Sequence, residues 1–349
     1  MFGRRENGCQ RQRGATRLFA KSLMLSGVVG MLALGSSQAI ASAHTAHVTV
    51  KRAPAKKFVL GVSMYTLTNP YFAAMAKSFQ QNGAKMGLQV HVASANGDQV
   101  TQLSQIQTFI QQHVSAVAIA PQNSVPIVTA VEALNKAHIP VFFIDSNADP
   151  KIMALDKAHE VEVVQSNNFL GGKIIGEELV QYLGKKPRAT VGIVNFPEAQ
   201  SCRLRDAGFL SVIHKYPGIK VVTTLDGKAS PPEGLSVASE MITGHPTMNV
   251  IFSDNGPDSQ GIVQAIRSQG KTGKVALFGF SSSRQNILYV QENSIFKAGA
   301  QQMPVEEAKI EVGNIWKYLH GEHVPPQVLA PVPGVTKANI HVALSRSFG

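Results

Sequence analysis

The sequence predicts an α/β protein built as two doubly wound parallel-sheet lobes, and three observations carry that prediction. Short β-rich runs alternate with longer amphipathic ones through most of the chain. Several of the β-rich runs are apolar at every position, as in PVFFI at 140–144. A strand reads that way when helices cover both faces of a parallel sheet. An irregular stretch at 145–168 then divides the alternation into halves of about four strand–helix units each.

In chain order, strands are expected at 58–64, 88–93, 116–120 and 141–144, then at 190–194, 220–224, 250–253 and 275–279. Helices are expected at 70–86, 99–113, 124–137, 169–183, 201–214, 233–244, 258–269 and 304–319. Local chemistry supports several boundaries. Asn69-Pro70 sets a capping side chain ahead of a proline at the first helical position, where the missing N–H costs nothing. Gly87, Gly184 and Gly270 follow helical runs where a left-handed residue ends a helix.

Residues 1–43 read as a cleavable secretory signal peptide. Arg4, Arg5, Arg11, Arg13, Arg17 and Lys21 stand against the single acid Glu6. The apolar run LMLSGVVGMLALG follows, then small residues ending in Ala41-Ser42-Ala43. That run is too short to span a bilayer, which takes roughly 20 residues. A polar linker, 44–57, follows. Export to the periplasm of a two-membrane bacterium is therefore expected, with no stable membrane insertion.

The same segment changes the charge argument. The 349-residue chain is 44% hydrophobic and 16% charged, with a formal net charge of +11. Six of its 33 Lys and Arg and one of its 22 Asp and Glu lie in residues 1–43. The remainder carries 27 against 21, about +6, with no block of like charges, so nucleic-acid binding is not expected. Length and apolar content exclude a disordered tail or a disulfide miniprotein, and a mean hydropathy of +0.01 excludes a multi-span membrane protein. Of two cysteines only Cys202 lies beyond the signal, so no internal disulfide can form, and its thiol is expected to be buried.

Ligands of open α/β sheets bind beyond the carboxyl ends of the strands. Tyr65, Asn69, Tyr71 and Phe72 follow the first strand, and Asp145 and Ser146 the fourth. In the second half, Phe196, Arg203 and Arg205 follow one strand, Asp254 and Asn255 another, and Phe280 and Ser281 a third. Amides, carboxylates and guanidinium groups bind hydroxyls, while aromatic faces pack on the C–H face of a sugar-like ring. Other motifs carry less. Ala265-x4-Gly270-Lys271-Thr272 fits a loose phosphate-loop pattern, but a helix precedes it where a strand is required. His320 and His323 have helical spacing, but Gly321 and Pro325-Pro326 make the segment an exposed turn, so neither a metal nor any other cofactor is expected. No catalytic constellation surfaces, and an enzyme is not expected.

The segments VLGVSMYTLTNPYFAAM, PVFFIDSN, SNNFLGGKIIGEEL, CRLRDAGF, NVIFSDN, VALFGFSSS and AGAQQMP, in that order, resemble periplasmic ligand-binding proteins of the D-ribose-binding type, which serve ABC importers. The resemblance covers residues 57–332. It implies the type I periplasmic binding protein fold: two lobes joined by a three-strand hinge, with crossings near 165–168, 301–303 and 330–333. The N-terminal lobe would be 58–166 plus 303–331, and the C-terminal lobe 167–302 plus 332–342. Residue by residue, the resemblance marks Asn69 in its Asn-Pro turn, the aromatics Tyr71 and Phe72, then Asp145, Arg205, Asn255 and, at a crossing, Gln302. Tyr65, Ser146, Arg203, Phe280 and Ser281 complete the candidate ligand set from the strand ends.

Departures from that pattern are specific. Ribose binders of the family carry Asp-Arg where this chain has Asp145-Ser146, and Gly-Phe-Asp where it has Gly279-Phe280-Ser281. A family aromatic lacks a counterpart near Ala229-Ser230, and Tyr65 replaces a small residue. A carboxylate accepting ring hydroxyls contributes roughly 1.5–3 kcal/mol per bond. Losing one, and an arginine, argues for a ligand other than D-ribose.

The expectation is thus a monomeric solute-binding protein that captures a small sugar or polyol and hands it to ABC permease subunits. The alternative is a periplasmic sensor presenting its ligand to a chemoreceptor or histidine kinase. A sugar-responsive repressor would need an N-terminal helix-turn-helix where the signal peptide stands. Asp145→Ala and Arg205→Ala are each expected to abolish closure without moving the thermal midpoint of the empty protein.

Overall fold

The computed structural model describes residues 57–348. The expected signal peptide, and the linker up to residue 56, lie outside the described residues. The first half of the alternation folds as β1 (Val59–Met64), α1 (Pro70–Lys85), β2 (Gln89–Ser94), α2 (Gln99–Gln111), β3 (Ala116–Ile119), α3 (Ile127–Lys136) and β4 (Val141–Ile144). The stretch expected to be irregular instead holds α4 (Pro150–Leu155) and β5 (Glu162–Ser166). Then come α5 (Asn168–Leu183), β6 (Ala189–Asn195), α6 (Gln200–Ile213), β7 (Ile219–Asp226), α7 (Pro231–Gly244), β8 (Val250–Ser253), α8 (Gly256–Ser268) and β9 (Ala276–Phe280). The chain continues through α9 (Arg284–Glu292), β10 (Phe296–Ala300), α10 (Pro304–Leu319), β11 (Gln327–Ala330), β12 (Gly334–Thr336) and α11 (Ile340–Arg346).

Each expected strand and helix is present, with ends shifted by a few residues. The elements that sequence reading left out have a physical excuse. In β5, Glu162 and Gln165 interrupt the apolar run, yet both are buried. In β10, Lys297 and Gly299 interrupt the pattern.

Two six-stranded sheets result, in the orders β11-β5-β4-β3-β1-β2 and β12-β10-β9-β8-β6-β7. Every pairing is parallel except β10 with β12. The chain leaves the first sheet after β5 and returns after β10, since α10 packs on α1, β4 and β5. It crosses again between β11 and β12.

Period-two alternation explains the wholly apolar strands. In the first lobe Phe142 and Ile144 join Leu60, Val62 and Met64 on the face beneath α1 and α10. Val141 and Phe143 join Val117 and Ile119 on the opposite face with α2 and α3. The second sheet divides likewise, Ile251 and Leu277 facing one way and Val250, Phe252, Phe278 and Phe280 the other. Each buried residue is therefore inside whichever face its side chain takes.

Helices α5 and α6 approach unusually closely. A Cβ on Gly172 would overlap the carbonyl oxygen of Arg205, and one on Gly208 would overlap that of Phe169. The Gly171-Gly172 pair therefore serves packing. The phosphate-loop lookalike is the end of α8, with Gly270 at φ +64°. Among the described residues no helix is long and apolar enough to cross a membrane.

Candidate functional site

The carboxyl ends of the two sheets face each other across a cavity of about 430 Å³. From the first lobe come Tyr65, Asn69, Tyr71, Phe72 and Asp145; from the second, Arg205 and Asn255; from a crossing between them, Gln302. Eight of the twelve sequence-derived candidates thus stand on one wall system.

Local structure fixes each of them. Asn69, on the cavity wall, caps α1, its side-chain oxygen accepting from the Tyr71 N–H at 3.0 Å. Tyr71, also on the wall, donates its hydroxyl to the buried Glu307 Oε2 at 2.8 Å, which fixes its ring. Asp145 adopts φ +69°, a conformation carboxylates tolerate better than bulky residues, at the sharp exit from β4. Gln302 donates to Asp145 Oδ1 at 3.3 Å, and its own N–H donates to Ser282 Oγ at 2.9 Å.

Arg205 is the most constrained side chain of the set. It is 3% exposed, with Nε donating to Asn168 Oδ1 at 2.8 Å and Nη1 to the Asp254 carbonyl at 3.0 Å. The guanidinium lies 4.3 Å from the Phe280 ring centroid. Its remaining nitrogen, Nη2, stands 3.9 Å from Asp145 Oδ1. The close approach of α5 and α6 is what brings Asn168 within reach of it. Burial pushes the Asp145 carboxyl up, and the Arg205 charge opposes that. This separation leaves room for a ligand hydroxyl to bridge the pair.

Four candidates are not on the cavity wall. Ser146 turns toward α6, its Oγ accepting from the Ser201 N–H at 3.2 Å. Arg203 folds back on its own loop, donating to the carbonyls of Pro197 at 2.6 Å and Glu198 at 3.2 Å. Phe280 lies under Arg205 as a platform, and Ser281 is fully buried against Gly299 of β10. Asn255 is on the wall, but its side chain is largely spent. Its amide donates to Asp254 Oδ1 and Asp258 Oδ2, and its oxygen accepts from the Asp258 N–H, capping α8.

Sequence reading also passed over wall residues. Phe196, after β6, faces Tyr65 with ring centroids 6.1 Å apart, and Tyr65 meets Phe72 edge-on at 5.6 Å. Phe196 stands at a strand end with the others but is outside the candidate set. Cys202, Ser282, Ser283 and Phe348 are wall residues too. Cys202 is buried, and burial pushes its thiol well above the usual range. Asp145 is the one carboxylate on the wall among the described residues.

Beside the cavity the lobes touch directly at the start of α6. The Gln200 N–H donates to Ser124 Oγ at 2.9 Å, and the Ser124 N–H donates to the Glu198 carbonyl at 3.2 Å. Helix α6 has no capping side chain of its own, its cap residue being Ala199.

Behind the walls lie buried carboxyls. Burial pushes Asp254 up to about 6, and burial with the Asp254 charge pushes Asp206 up to about 7. In the first lobe burial takes Glu307 up to about 7, helped by the Asp145 charge, and Glu162 up to about 7. Glu311, buried without a hydrogen-bond partner, is pushed well above its usual range.

A family model described as "Periplasmic binding protein domain" matches residues 60–323. The chain is 30% identical over 278 residues to the ribose import binding protein of Bacillus subtilis (strain 168), covering 79% of this chain and 87% of that one. Among solved structures it resembles an ABC transporter periplasmic solute-binding protein from Actinobacillus succinogenes 130z with bound D-allose. That match has a TM-score of 0.76 and 24% identity, over 82% of this chain and all (100%) of the other. It also resembles an ABC transporter solute-binding protein from Agrobacterium vitis bound with α-D-tagatopyranose. Here the TM-score is 0.78 and the identity 21%, over 84% of this chain and 100% of that one. At such identities the two structural likenesses speak to the fold.

Proposed function

The chain belongs to the periplasmic binding protein domain family, and from that premise we propose that it captures a small sugar or polyol between its lobes and delivers it to an ABC importer. The observation that carries the reading is the facing of Arg205 and Asp145 across the cavity, at 3.9 Å, beside an aromatic wall. A ligand bonded to both lobes favours the closed form over the open one, which is the signal a permease reads. In this reading residues 58–166 with 303–331 form one lobe and 167–302 with 332–342 the other. The protein is a monomeric carrier without catalysis, exported to the periplasm by residues 1–43. The ligand is not D-ribose: Ser146 is committed to α6, Ser281 is off the wall, and one carboxylate remains to hold hydroxyls.

A thermal-shift and calorimetric panel of D-ribose, D-allose, D-tagatose and myo-inositol on the mature protein tests both parts. A ligand at a hundredfold excess over its Kd stabilises the folded state by about 2.7 kcal/mol, a shift of several degrees. The reading expects such a shift from a hexose or cyclitol. Silence from the whole panel overturns the carrier reading, and micromolar D-ribose affinity overturns the exclusion of ribose.

A further inference from the structure

The aromatic wall has a closing member that strand-end reasoning does not reach. Phe348 lies just beyond α11, on the cavity wall and half-buried. Its backbone belongs to the second lobe. The Phe348 carbonyl accepts from the Arg284 N–H at 2.9 Å, forming a parallel bridge with Ser283. Upstream, the side chain of Gln301, at the crossing between lobes, donates to the Ala343 carbonyl of α11 at 3.0 Å, which holds the segment's approach. Its ring, however, packs on the first lobe, 6.0 Å from the Tyr71 ring at 62°, against the apolar cluster of α1.

Together the rings form a continuous arc: Phe348 to Tyr71, Tyr71 to Phe72 at 5.1 Å, Phe72 to Tyr65, and Tyr65 to Phe196. The three middle members come from the first lobe, and both ends are rooted in the second. Such an arc is assembled only while the lobes are closed. Edge-to-face ring pairs contribute beyond their area, and Tyr71 is already locked by its bond to Glu307, so little freedom is lost on completing it.

We propose that Phe348 is a ligand-binding and specificity residue of this cavity: its ring completes an aromatic arc against the apolar face of a sugar or cyclitol, and its two-lobe anchorage favours closure. The proposal rests on the carrier reading for its ligand but not for its effect on closure. Phe348→Ala and Phe348→Trp are compared with the unaltered protein by calorimetry against D-allose, D-tagatose and myo-inositol. The alanine variant is expected to bind about tenfold more weakly, with tryptophan restoring most of the loss. In parallel, spin labels on cysteines introduced at the exposed positions Lys85 and Lys215, one per lobe, report the interlobe distance without ligand. The alanine variant is expected to shift toward longer distances.

If the unaltered protein binds none of the panel, the carrier reading fails and the distances alone decide: a longer distribution in Phe348→Ala supports the clasp, and an unchanged one overturns it. If it binds, an alanine variant within twofold of its affinity overturns the proposal.

Discussion

Ser146, in the first lobe, accepts a hydrogen bond from the backbone N–H of Ser201 in the second, at 3.2 Å. With Ser124 serving Gln200 in the same way, the start of α6 is capped from across the cleft. A helix whose own cap residue is alanine thus meets its unsatisfied donors only when the lobes close. Ser146 is thus committed to closure.

Ser124→Ala and Ser146→Ala should each weaken apparent ligand affinity by about three- to tenfold, the worth of roughly 1 kcal/mol of capping. The thermal midpoint of the empty protein should stay nearly constant, because the open lobes do not make these bonds. Calorimetry beside a ligand-free melt separates the two; affinities unchanged from the unaltered protein in both variants would falsify the capping account.

Asp145→Asn should cost binding about ten- to a hundredfold, the loss of charge-assisted bonds to hydroxyls, with little change in the empty protein's melting. For Arg205→Ala the buried bonds point to an outcome other than the unchanged midpoint expected from sequence. It leaves Asn168 and the Asp254 carbonyl without their buried donor and strips the Phe280 platform. A destabilisation of about 3 kcal/mol is expected, on top of lost binding, and denaturant unfolding measures it.

Gly172→Ala should destabilise by about 2–3 kcal/mol, because the added methyl meets the Arg205 carbonyl, which cannot move without shifting α6. Binding should fall as well, since that shift moves Arg205. The paired control is Gly87→Asn, at φ +76° with open space around it, which should be nearly neutral.

The buried glutamates set a pH dependence. Folded Glu307 holds its proton up to about 7 against an ordinary 4.5, so the folded state carries more protons between those values. The stability it confers is complete below about pH 4.5 and is lost as pH rises to about 7, about 3 kcal/mol in all. Glu162 and Glu311 act in the same direction. Melting temperature should therefore fall from pH 5 to pH 8. Glu311→Gln should flatten that slope, and a slope unchanged by the variant would contradict the assignment.

Much of the fold was legible because strands buried on both faces announce themselves. PVFFI is unmistakable, since Phe142 and Phe143 enter opposite cores. β5 was not, because Glu162 and Gln165 look like surface residues until α10 brings Asn314 to Glu162 at 2.7 Å. On the cavity, residues immediately after β1 and β4 were readable from chain position. Ser146, Arg203 and Ser281 share that position, but their side-chain directions depend on tertiary neighbours. Phe348 carried no signal at all, for its place depends on pairing with Ser283, far away in sequence.

The first sheet is completed by residues roughly 160 positions apart, β11 docking beside β5 only after the whole second lobe has been strung between them. Long loops must close before that pairing rewards them, so the fold is intrinsically slow to form. In the export reading proposed above, slowness has a use: it prolongs the interval in which the polypeptide is still threadable through a translocation pore, and it defers the birth of a working cavity to the far side of the membrane.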